Sequence, residues 1–374
     1  MRIGIQQRAL PHYRAPLYDA IAKRCPDPVE VFAGYPEASE GVRRAEALNH
    51  AEWRFSRNRC LAVGRQKAYW QPDFVGWMES FRPEVLLVES NPRILSNYGG
   101  FRRARKRGIC VIGWGVGVMG NSKDEGPYGW IMRRYFRQFD GMIAYGTKGA
   151  EDFRRLGVDE DRVFIARNSV SSRDIDKLLD DPAEAEVLVR EFREWHQISG
   201  QQVILFLGRM VPEKRVDLLF NAVKRVSMNC HILMVGDGPC RETLEREAKK
   251  DGIHATFVGH LTGRDLAVAI RSSDICVLPG QGGLAIQEAM TAGVPVISGV
   301  ADGTQVDLVE HGVTGFRFLG DNIASLSNLI VESLSRPDLI AKMGAAARQL
   351  VNREHNLDLA VDAVFSAIKS IMSR

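Results

Sequence analysis

Residues 203–214 read VILFLGRMVPEK. A continuous apolar run of this length is typical of a strand buried on both faces, as in a parallel sheet. The run ends at Gly208, and Arg209 and Lys214 follow before a helical pattern begins. Ligands of open α/β sheets bind beyond the carboxyl ends of the strands. The planar fork of Arg209 and the compact charge of Lys214 could therefore close on one diphosphate, although a solvated basic loop is the alternative.

Residues 280–290 read GQGGLAIQEAM and follow a second apolar run. Gly282 and Gly283 leave the NH groups of Leu284 and Ala285 uncovered at the start of a predicted helix. NH groups at helix N-termini bind anions, because they are unpaired and lie at the positive end of the helix dipole. This segment therefore predicts a second contact for a phosphate.

Two weaker signals accompany these segments. Glu288 lies on the first turns of the predicted helix, and its carboxylate could accept hydrogen bonds from a pair of ribose hydroxyls. An exposed helix acid is the alternative. The turn VGDGP at 235–239 places Gly236 after another apolar run, where glycine lets a ligand approach the backbone. A plain tight turn explains VGDGP equally well.

Strand and helix patterns alternate in both halves of the chain, which is typical of doubly wound parallel α/β sheets. Since 374 residues exceed what one core normally serves, two domains are expected. The sequence predicts an N-terminal domain over 1–180 and a C-terminal domain over 181–374, joined in the charged stretch near 170–195. The last predicted helix, about 358–372, could pack on either domain.

Composition excludes several classes of protein. The apolar fraction is 45% and the charged fraction 26%, as in ordinary globular domains. No stretch approaches the roughly 20 apolar residues of a membrane span, and MRIGIQQRAL lacks the apolar core of a signal peptide. The six cysteines form no CxxC pair, which predicts buried, reduced thiols in a cytoplasmic protein and no structural zinc site.

The net charge of +4 is unevenly distributed. Residues 1–180 hold 30 Lys and Arg against 22 Asp and Glu, whereas the remainder holds 20 against 24. A basic first half indicates an anionic partner there: phosphate groups, a polyanionic acceptor or an anionic membrane surface. Nucleic acid is not expected, because the pI is only about 8.7 and no recognition motif is present.

Seven segments in fixed order carry a family resemblance: GRMVPEK, VGDGP, FVGHL, SSDICVLPG, GGLAIQEAM, AGVPVIS and HGVTGF. Over about residues 203–320 they resemble the donor domain of the family 4 retaining glycosyltransferases. The resemblance implies the GT-B fold, with two doubly wound Rossmann-like domains facing across a cleft. It also implies transfer of a sugar from a nucleotide sugar, with retention and without a metal or other cofactor.

The resemblance assigns roles residue by residue. Arg209 and Lys214 match the pair that neutralises the donor diphosphate and so stabilises the leaving group. The NH groups of Leu284 and Ala285 match those that bind the distal phosphate, and Glu288 matches the acid that holds the ribose. The stretch that frames the nucleobase corresponds to 258–261. The predicted donor site comprises Gly208, Arg209, Lys214, Gly236, Val258, Gly259, His260, Leu261, Gly282, Gly283, Leu284, Ala285 and Glu288.

Two positions depart from the family pattern. Gly280 stands where the first glutamate of the E-x7-E signature is expected, so water or another side chain such as Gln281 would have to contact the donor sugar, or the sugar differs. Val116 stands near the position of a family histidine. These departures keep one alternative open, a non-catalytic partner subunit that binds a nucleotide sugar without turnover. A phosphorylase or a sugar-nucleotide epimerase is a second alternative.

The first half offers candidates beyond the ends of its predicted strands. His12, Tyr13 and Arg14 follow the first strand, where they could contact the acceptor or a donor phosphate. Glu89 ends the strand 85–89 and is a candidate acceptor contact or general base. A loop histidine and a turn acid are the alternatives. We therefore predict catalytic roles for Arg209, Lys214, His12 and Glu89, and acceptor binding by Tyr13, Arg14 and Asn91. Asn168 is a further candidate at the domain join.

Two basic segments combine arginines with apolar residues: FRRARKRG at 101–108 and IMRRYFRQF at 131–139. Such segments could rest on an anionic membrane that carries a lipid-linked acceptor, although solvated helix faces are the alternative. The sequence thus predicts a cytoplasmic protein with peripheral attachment to the inner face of the membrane. Its expected partners are a nucleotide-sugar donor and a polysaccharide or glycolipid acceptor.

Overall fold

The computed structural model describes residues 1–37, 40, 42–63, 66–118, 126–299 and 303–374. Its contacts divide the chain into two compact units. The first unit comprises Met1–Val170 and Leu357–Arg374, and the second comprises Ser171–Asn356. The division falls earlier in the chain than the predicted boundary between 180 and 181.

A seven-stranded parallel sheet forms the centre of the first unit, in the order β3-β2-β1-β6-β7-β8-β9. The remaining two strands, β4 and β5, form a separate antiparallel hairpin. The strands are β1 Ile3–Ala9, β2 Val29–Gly34, β3 Glu52–Phe55, β4 Arg59–Val63, β5 Gln66–Trp70, β6 Val85–Glu89, β7 Cys110–Gly115, β8 Gly141–Ala144 and β9 Val163–Ile165.

Helices cover both faces of the first sheet. One face carries large aromatic side chains of four helices, among them Phe74, Phe101, Phe136 and Phe153. The opposite face packs against the first helix and against the C-terminal segment. The helices within 1–170 are α1 Ala15–Arg24, α2 Phe74–Phe81, α3 Ser96–Lys106, α4 Gly126–Phe136 and α5 Thr147–Arg155.

A six-stranded parallel sheet forms the second unit, in the order β12-β11-β10-β13-β14-β15. Its strands are β10 Gln202–Leu207, β11 Cys230–Val235, β12 Ala255–Gly259, β13 Ile275–Leu278, β14 Val296–Gly299 and β15 Gly315–Phe318. Its helices are α6 Arg173–Asp180, α7 Pro182–Trp195, α8 Val216–Val223, α9 Arg241–Asp251, α10 Gly263–Arg271, α11 Leu284–Thr291, α12 Thr304–Leu308, α13 Ile323–Leu334 and α14 Pro337–Glu354.

The charged stretch near the predicted join is helical and belongs to the second unit. Ile175 and Leu178 of α6 are buried in the second core. Asp181 caps α7 by accepting a hydrogen bond from the NH of Glu184 at 3.0 Å, as expected of an aspartate at a helix N-terminus. A sparse apolar stripe is enough to form these helices because the second sheet supplies the surface that buries it.

The last helix, α15 (Leu357–Met372), packs on the first sheet. Its buried residues recur at helical spacing: Ala360, Val361, Val364, Ala367, Ile368 and Ile371. The chain therefore returns to its first unit after completing the second, an arrangement that the sequence had left open. Within the described residues, no helix combines the length and the apolar character needed to span a bilayer.

Candidate functional site

The strand order of the second sheet reverses between β10 and β13, and crevices at such points bind ligands in open α/β sheets. The loops that follow these two strands lie side by side. The NH of Gly280 donates to the carbonyl of Lys214 at 3.1 Å, and the NH of Gln281 donates to the carbonyl of Glu213 at 3.2 Å. The two sequence segments that predicted a phosphate site are thus joined by main-chain hydrogen bonds.

Lys214 occupies the junction of these loops. Its Nζ donates to the main-chain oxygen of Gln281 and lies 3.5 Å from that of Gly282. Its side chain passes the end of β10, since a β-carbon on Gly208 would lie 3.3 Å from Lys214 Cε. Arg209 is half-buried in the same loop. The ammonium group is therefore fixed at the carboxyl edge of the sheet, close to the start of α11.

Glu288 lies on α11, near enough to Lys214 for the two charges to interact. Burial raises the pKa of the Glu288 carboxyl to about 7, and the Lys214 ammonium limits this rise. Among the described residues, none donates a hydrogen bond to the Glu288 carboxyl. Its acceptor oxygens remain available to hydroxyl groups of a ligand.

Among the described residues, no side chain caps the N-terminus of α11. Gly283 precedes the helix with φ +59° and ψ −139°, a backbone conformation that favours glycine. In the described part of the chain, no acceptor is bonded to the NH groups of Leu284 and Ala285. Uncapped NH groups beside Lys214 form a cradle suited to a phosphate group.

Gly280 makes the contact between the two loops possible. A β-carbon at this position would overlap the carbonyl oxygen of Glu213 and would lie 2.7 Å from the carbonyl carbon of Lys214. The main chain of 213–214 therefore fills the space in which a side chain at 280 would begin. The family resemblance leads us to expect a glutamate here. The structure shows that a side chain at this position would collide with the main chain of 213–214, which explains the glycine.

The glycines of the VGDGP turn allow neighbouring main-chain segments to approach closely. A β-carbon on Gly236 would overlap the carbonyl of Gly208, and one on Gly238 would lie 2.6 Å from the carbonyl oxygen of Met210. The NH of Gly236 donates to the carbonyl of Gly259 at 2.8 Å, which joins this turn to the segment 258–261. Val258, Gly259 and Leu261 are half-buried there, and His260 is exposed. The β-carbon position of Gly236 is thus occupied by main chain, and a donor contact at Gly236 stays a prediction.

In the first unit, Glu89 lies at the carboxyl end of β6 and is held from two sides. Its Oε2 accepts a hydrogen bond from the NH of Arg8 at 2.8 Å, and its Oε1 accepts one from Asn91 Nδ2 at 3.3 Å. The amide oxygen of Asn91 in turn accepts from the NH of Arg93 at 3.1 Å. Glu89 and Asn91 thus form one fixed polar pair at this edge.

Arg14 joins the same cluster. Its guanidinium lies over the ring of Tyr145, 4.4 Å from the ring centroid, in a cation–π contact. Burial opposes the Arg14 charge, but Tyr145, Tyr18 and the carboxylate of Glu89 offset this cost, so the pKa of Arg14 is raised. Its Nη1 is buried and has no hydrogen-bond partner among the described residues. The structure therefore brings Arg14, Glu89 and Asn91 together.

Four other positions named in the sequence analysis lie around this edge. His12 Nδ1 is 3.2 Å from the carbonyl of Arg43, and the His12 ring meets Tyr13 edge-on at 5.5 Å between centroids. The NH of Asn168 donates to the carbonyl of Tyr145 at 3.1 Å. Val116 is 42% exposed just beyond β7, where it offers no polar group.

Sequence analysis did not select Tyr145 or Gln71. Tyr145 directly follows β8, so its position beyond a strand was a usable signal. Gln71 is fully enclosed, and its Nε2 donates to the carbonyl of Gln7 and to Ser56 Oγ, both at 3.0 Å. No sequence pattern marks Gln71, because its partners come from distant parts of the chain.

In the part of the chain that the structure describes, no three His, Cys, Asp or Glu side chains meet in a way that could hold a metal ion. Arg209, Lys214 and Glu288 are among the charged residues at the carboxyl edge of the second sheet, as are Glu213 and Asp237. The two cations and the NH groups at the start of α11 are groups of the kind that bind anions.

Two parallel α/β units of this kind define the GT-B class, and comparison with solved structures confirms that fold. The Anabaena protein HepE, solved in complex with UDP, superposes with a TM-score of 0.78 over 99% of each chain at 16% identity. Sucrose-phosphate synthase from Thermosynechococcus elongatus gives 0.73, with 100% of this chain and 99% of that chain covered, also at 16% identity.

Comparison of the sequence with known proteins shows which proteins of the GT-B class this chain is similar to. Residues 189–350 match the family described as "Glycosyl transferases group 1". A GDP-mannose-dependent alpha-(1-6)-phosphatidylinositol monomannoside mannosyltransferase of Mycobacterium tuberculosis is 30% identical over 200 residues, which are 50% of this chain and 51% of the relative. A GDP-mannose-dependent alpha-mannosyltransferase of Mycolicibacterium smegmatis is 29% identical over 301 residues, 75% of this chain and 72% of the relative.

These findings confirm the resemblance to the family 4 glycosyltransferases: the chain has the GT-B fold, and residues 189–350 match the group 1 glycosyl transferase family. In the first of these relatives, the matched region spans about half of the relative's length.

Proposed function

We propose that this protein transfers a sugar from a nucleotide-sugar donor to a saccharide or glycolipid acceptor, with retention at the anomeric carbon. One observation carries the proposal: Lys214 is fixed at the strand-order reversal of the second sheet, beside the uncapped N-terminus of α11 and the carboxyl of Glu288. A cation, free NH groups and an open carboxyl are the groups needed to hold a diphosphate and a ribose.

Donor roles follow from this geometry. Arg209, Lys214 and the NH groups of Leu284 and Ala285 bind the diphosphate and stabilise the charge that develops on it as the sugar departs. Glu288 accepts hydrogen bonds from the ribose. The segment 258–261 borders the nucleobase. Because cations and NH dipoles supply the charge stabilisation, transfer is expected to proceed in the presence of a chelator.

The proposed donor is a GDP-hexose, with GDP-mannose as the first to test. The relatives that support it are named as GDP-mannose-dependent enzymes, at 29–30% identity. The HepE structure contains UDP, but its 16% identity supports the fold alone. A screen of nucleotides therefore has to include both guanine and uracil nucleotides.

The proposed acceptor site is the cluster of Arg14, Glu89 and Asn91 at the carboxyl edge of the first sheet, with His12 and Tyr13 at its border. Glu89 is held by the NH of Arg8 and by Asn91, so its carboxylate has a fixed position. A fixed acceptor of hydrogen bonds suits the hydroxyl group that receives the sugar.

The proposed membrane contact is the exposed side of α4. Tyr128, Trp130 and Ile131 are exposed there, Trp130 by 63%, and the Arg134 guanidinium lies 5.9 Å from the Trp130 ring centroid. The helix begins beyond the carboxyl end of β7, so these residues lie toward the same edge as Glu89. An apolar patch with adjacent arginines suits the surface of an anionic bilayer that holds a lipid-linked acceptor.

The basic end of α3 fits this role less well. Arg103 and Arg107 both pair with Glu79, at 2.6 and 3.2 Å, and Arg105 donates to the carbonyl of Gln138 at 3.0 Å. Part of the positive charge in FRRARKRG is thus used within the protein. Peripheral attachment to the inner face of the membrane is therefore assigned to α4.

A second candidate function rests on Gly280 and Val116. Glycine stands in place of the family glutamate, with main chain in the space of its side chain, and in the sequence valine stands near the position of the family histidine after β7. A non-catalytic partner subunit would bind the nucleotide sugar through Lys214 and Glu288 without turning it over. Nucleotide binding without transfer or hydrolysis is the outcome that supports this candidate.

The first experiment is a thermal-shift and calorimetric screen of GDP, UDP, dTDP and their sugars. A ligand that binds only the folded state raises the unfolding temperature by mass action. Arg209→Ala should abolish the shift, whereas Arg225→Ala, an exposed arginine of the same unit, should preserve it. The stabilising donor is then incubated with the protein and a lipid extract. Transfer of its sugar to the extract identifies a transferase, and its absence supports a non-catalytic partner subunit. Absence of any nucleotide binding would refute both.

A further inference from the structure

A basic groove of about 970 Å³ lies on the first unit, at the edge opposite the proposed acceptor site. Its walls are the segments that precede β1, β6, β8 and β9, together with the start of β7 and the end of α15. The groove is therefore at the amino-terminal edge of the parallel sheet. Six arginines line it: Arg2, Arg82, Arg105, Arg107, Arg162 and Arg374.

Positive charge dominates this groove because six arginines line it against two acids, Glu84 and Asp140. Glu84 accepts a hydrogen bond from the NH of Arg2 at 2.8 Å, and Asp140 accepts one from the NH of Val111 at 2.7 Å. Both carboxylates thus hold strand ends in place. In the described part of the protein, the guanidinium groups of Arg2 and Arg82 have no hydrogen-bond or ion-pair partner, which leaves their donors available.

The backbone at Arg82 is a second, independent observation. Arg82 caps α2 with φ +51° and ψ +60°, the left-handed conformation that glycine adopts at helix ends at little cost. A residue with a β-carbon is strained there by roughly 1 kcal/mol. Glycine would adopt this conformation at lower cost, yet the chain carries an arginine here. Here the strained residue places a free guanidinium on the wall of a basic groove.

We propose that this groove binds a phosphate-bearing anion, with Arg2 and Arg82 as its principal ligands. A guanidinium presents a planar fork of donors that matches the oxygens of a phosphate group. Arg105 and Arg107 also line the groove, with donors left over from their protein contacts. The groove is separate from the proposed acceptor site, because Glu89 lies at the other end of β6 from Glu84. The phosphate could belong to a free polyphosphate or to a lipid head group.

The test measures the binding of inorganic pyrophosphate by calorimetry, on the 374-residue protein carrying Arg209→Ala to weaken the proposed donor site. Replacing two phosphate-binding arginines should reduce affinity at least about tenfold, given the usual strength of charge-assisted hydrogen bonds. We expect this loss in Arg2→Gln/Arg82→Gln. The control Arg190→Gln/Arg225→Gln removes the same charge from exposed positions of the second unit and should bind as before. Equal pyrophosphate and vesicle binding by the two double variants would overturn the proposal.

Arg82→Gly separates binding from folding. Glycine relieves the left-handed strain, so this variant should unfold at a higher temperature than the wild type while it binds pyrophosphate more weakly. Opposite changes in stability and affinity cannot come from a damaged fold. A more stable Arg82→Gly protein with unchanged pyrophosphate and vesicle binding would show that Arg82 does not contact the anion.

Vesicles distinguish the two sources of phosphate. Sedimentation with phosphatidylglycerol vesicles is compared with phosphatidylcholine vesicles for the same variants. If Arg2→Gln/Arg82→Gln weakens binding to anionic vesicles, the ligand is a lipid head group. If it weakens only pyrophosphate binding, the ligand is a free phosphate compound. The groove does not depend on the proposed donor site. These binding results can therefore be interpreted even if the protein proves not to bind a nucleotide.

Discussion

The carbonyl oxygen of Glu213 lies where a β-carbon on Gly280 would be placed, and the carbonyl carbon of Lys214 is 2.7 Å from the same point. This contact holds the two loops of the proposed donor site together, because the NH of Gly280 also donates to the Lys214 carbonyl at 3.1 Å. The departure from the family signature is therefore part of how the proposed donor site is built.

Gly280→Glu should fail to restore a family-like site. The side chain would force 213–214 away from α11, and overpacking of this kind usually costs about 1–3 kcal/mol. We expect lower stability in urea unfolding and weaker nucleotide binding. Gly76→Ala is the matched control, because nothing lies within 4 Å of its β-carbon position. It should keep or slightly raise stability, since alanine favours a helix. A tighter-binding Gly280→Glu enzyme would contradict the steric argument.

Glu288 should make both stability and donor binding depend on pH. Its folded pKa of about 7 is above the ordinary value of roughly 4.3 for glutamate. Its contribution to stability is therefore complete below about pH 4 and is lost as the pH rises through about 7. The stability difference between wild type and Glu288→Gln, followed by urea unfolding, should change across this window. A constant difference would argue against a buried carboxyl.

Donor affinity should change in the opposite direction. The ionised carboxylate accepts hydrogen bonds from the ribose more strongly, so wild-type affinity for a nucleotide sugar should increase as the pH rises through about 7. Glu288→Gln should show a flat profile. A nucleotide sugar is preferable to a nucleoside diphosphate, because a terminal phosphate titrates near pH 6. Parallel profiles in the two proteins would remove Glu288 from the ribose site.

Trp130→Ser should weaken binding to anionic vesicles. Full burial of a large apolar side chain is worth roughly 1.5–3 kcal/mol, so the loss should be about tenfold or more in partitioning. Trp195→Ser is the control, since Trp195 is 83% exposed at the end of α7 in the other unit. Vesicle sedimentation measures both. An equal loss in the two variants would place the membrane contact elsewhere.

Glu89→Gln should impair transfer without affecting the donor. Removing the charge weakens hydrogen bonds to an acceptor hydroxyl by about 1–2 kcal/mol, which predicts a roughly tenfold lower kcat/KM for the acceptor. Donor affinity measured by calorimetry should stay unchanged, because Glu89 lies on the first sheet. Glu151→Gln, an exposed position on α5, should alter neither quantity. Loss of donor affinity in Glu89→Gln would contradict an acceptor role.

Much of the fold could be predicted from the sequence because its buried strands are nearly continuous apolar runs. VILFL at 203–207 and VLLV at 85–88 are recognisable without any tertiary information, since both faces of a parallel strand are covered. The short edge strand β3 and the hairpin β4–β5 were missed. β3 has mostly exposed side chains, so no hydrophobic pattern marks it.

The sequence by itself determined the fold class and the residue types at the proposed donor site, because strand periodicity and ordered motifs are local properties of the chain. Tertiary structure alone decided three things: that α15 returns to the first sheet, that Arg14 lies over Tyr145 beside Glu89, and that the main chain of 213–214 fills the space beside Gly280. Each joins segments far apart in sequence. Such contacts depend on how complete elements pack, and no local pattern specifies which distant surface will cover a given residue.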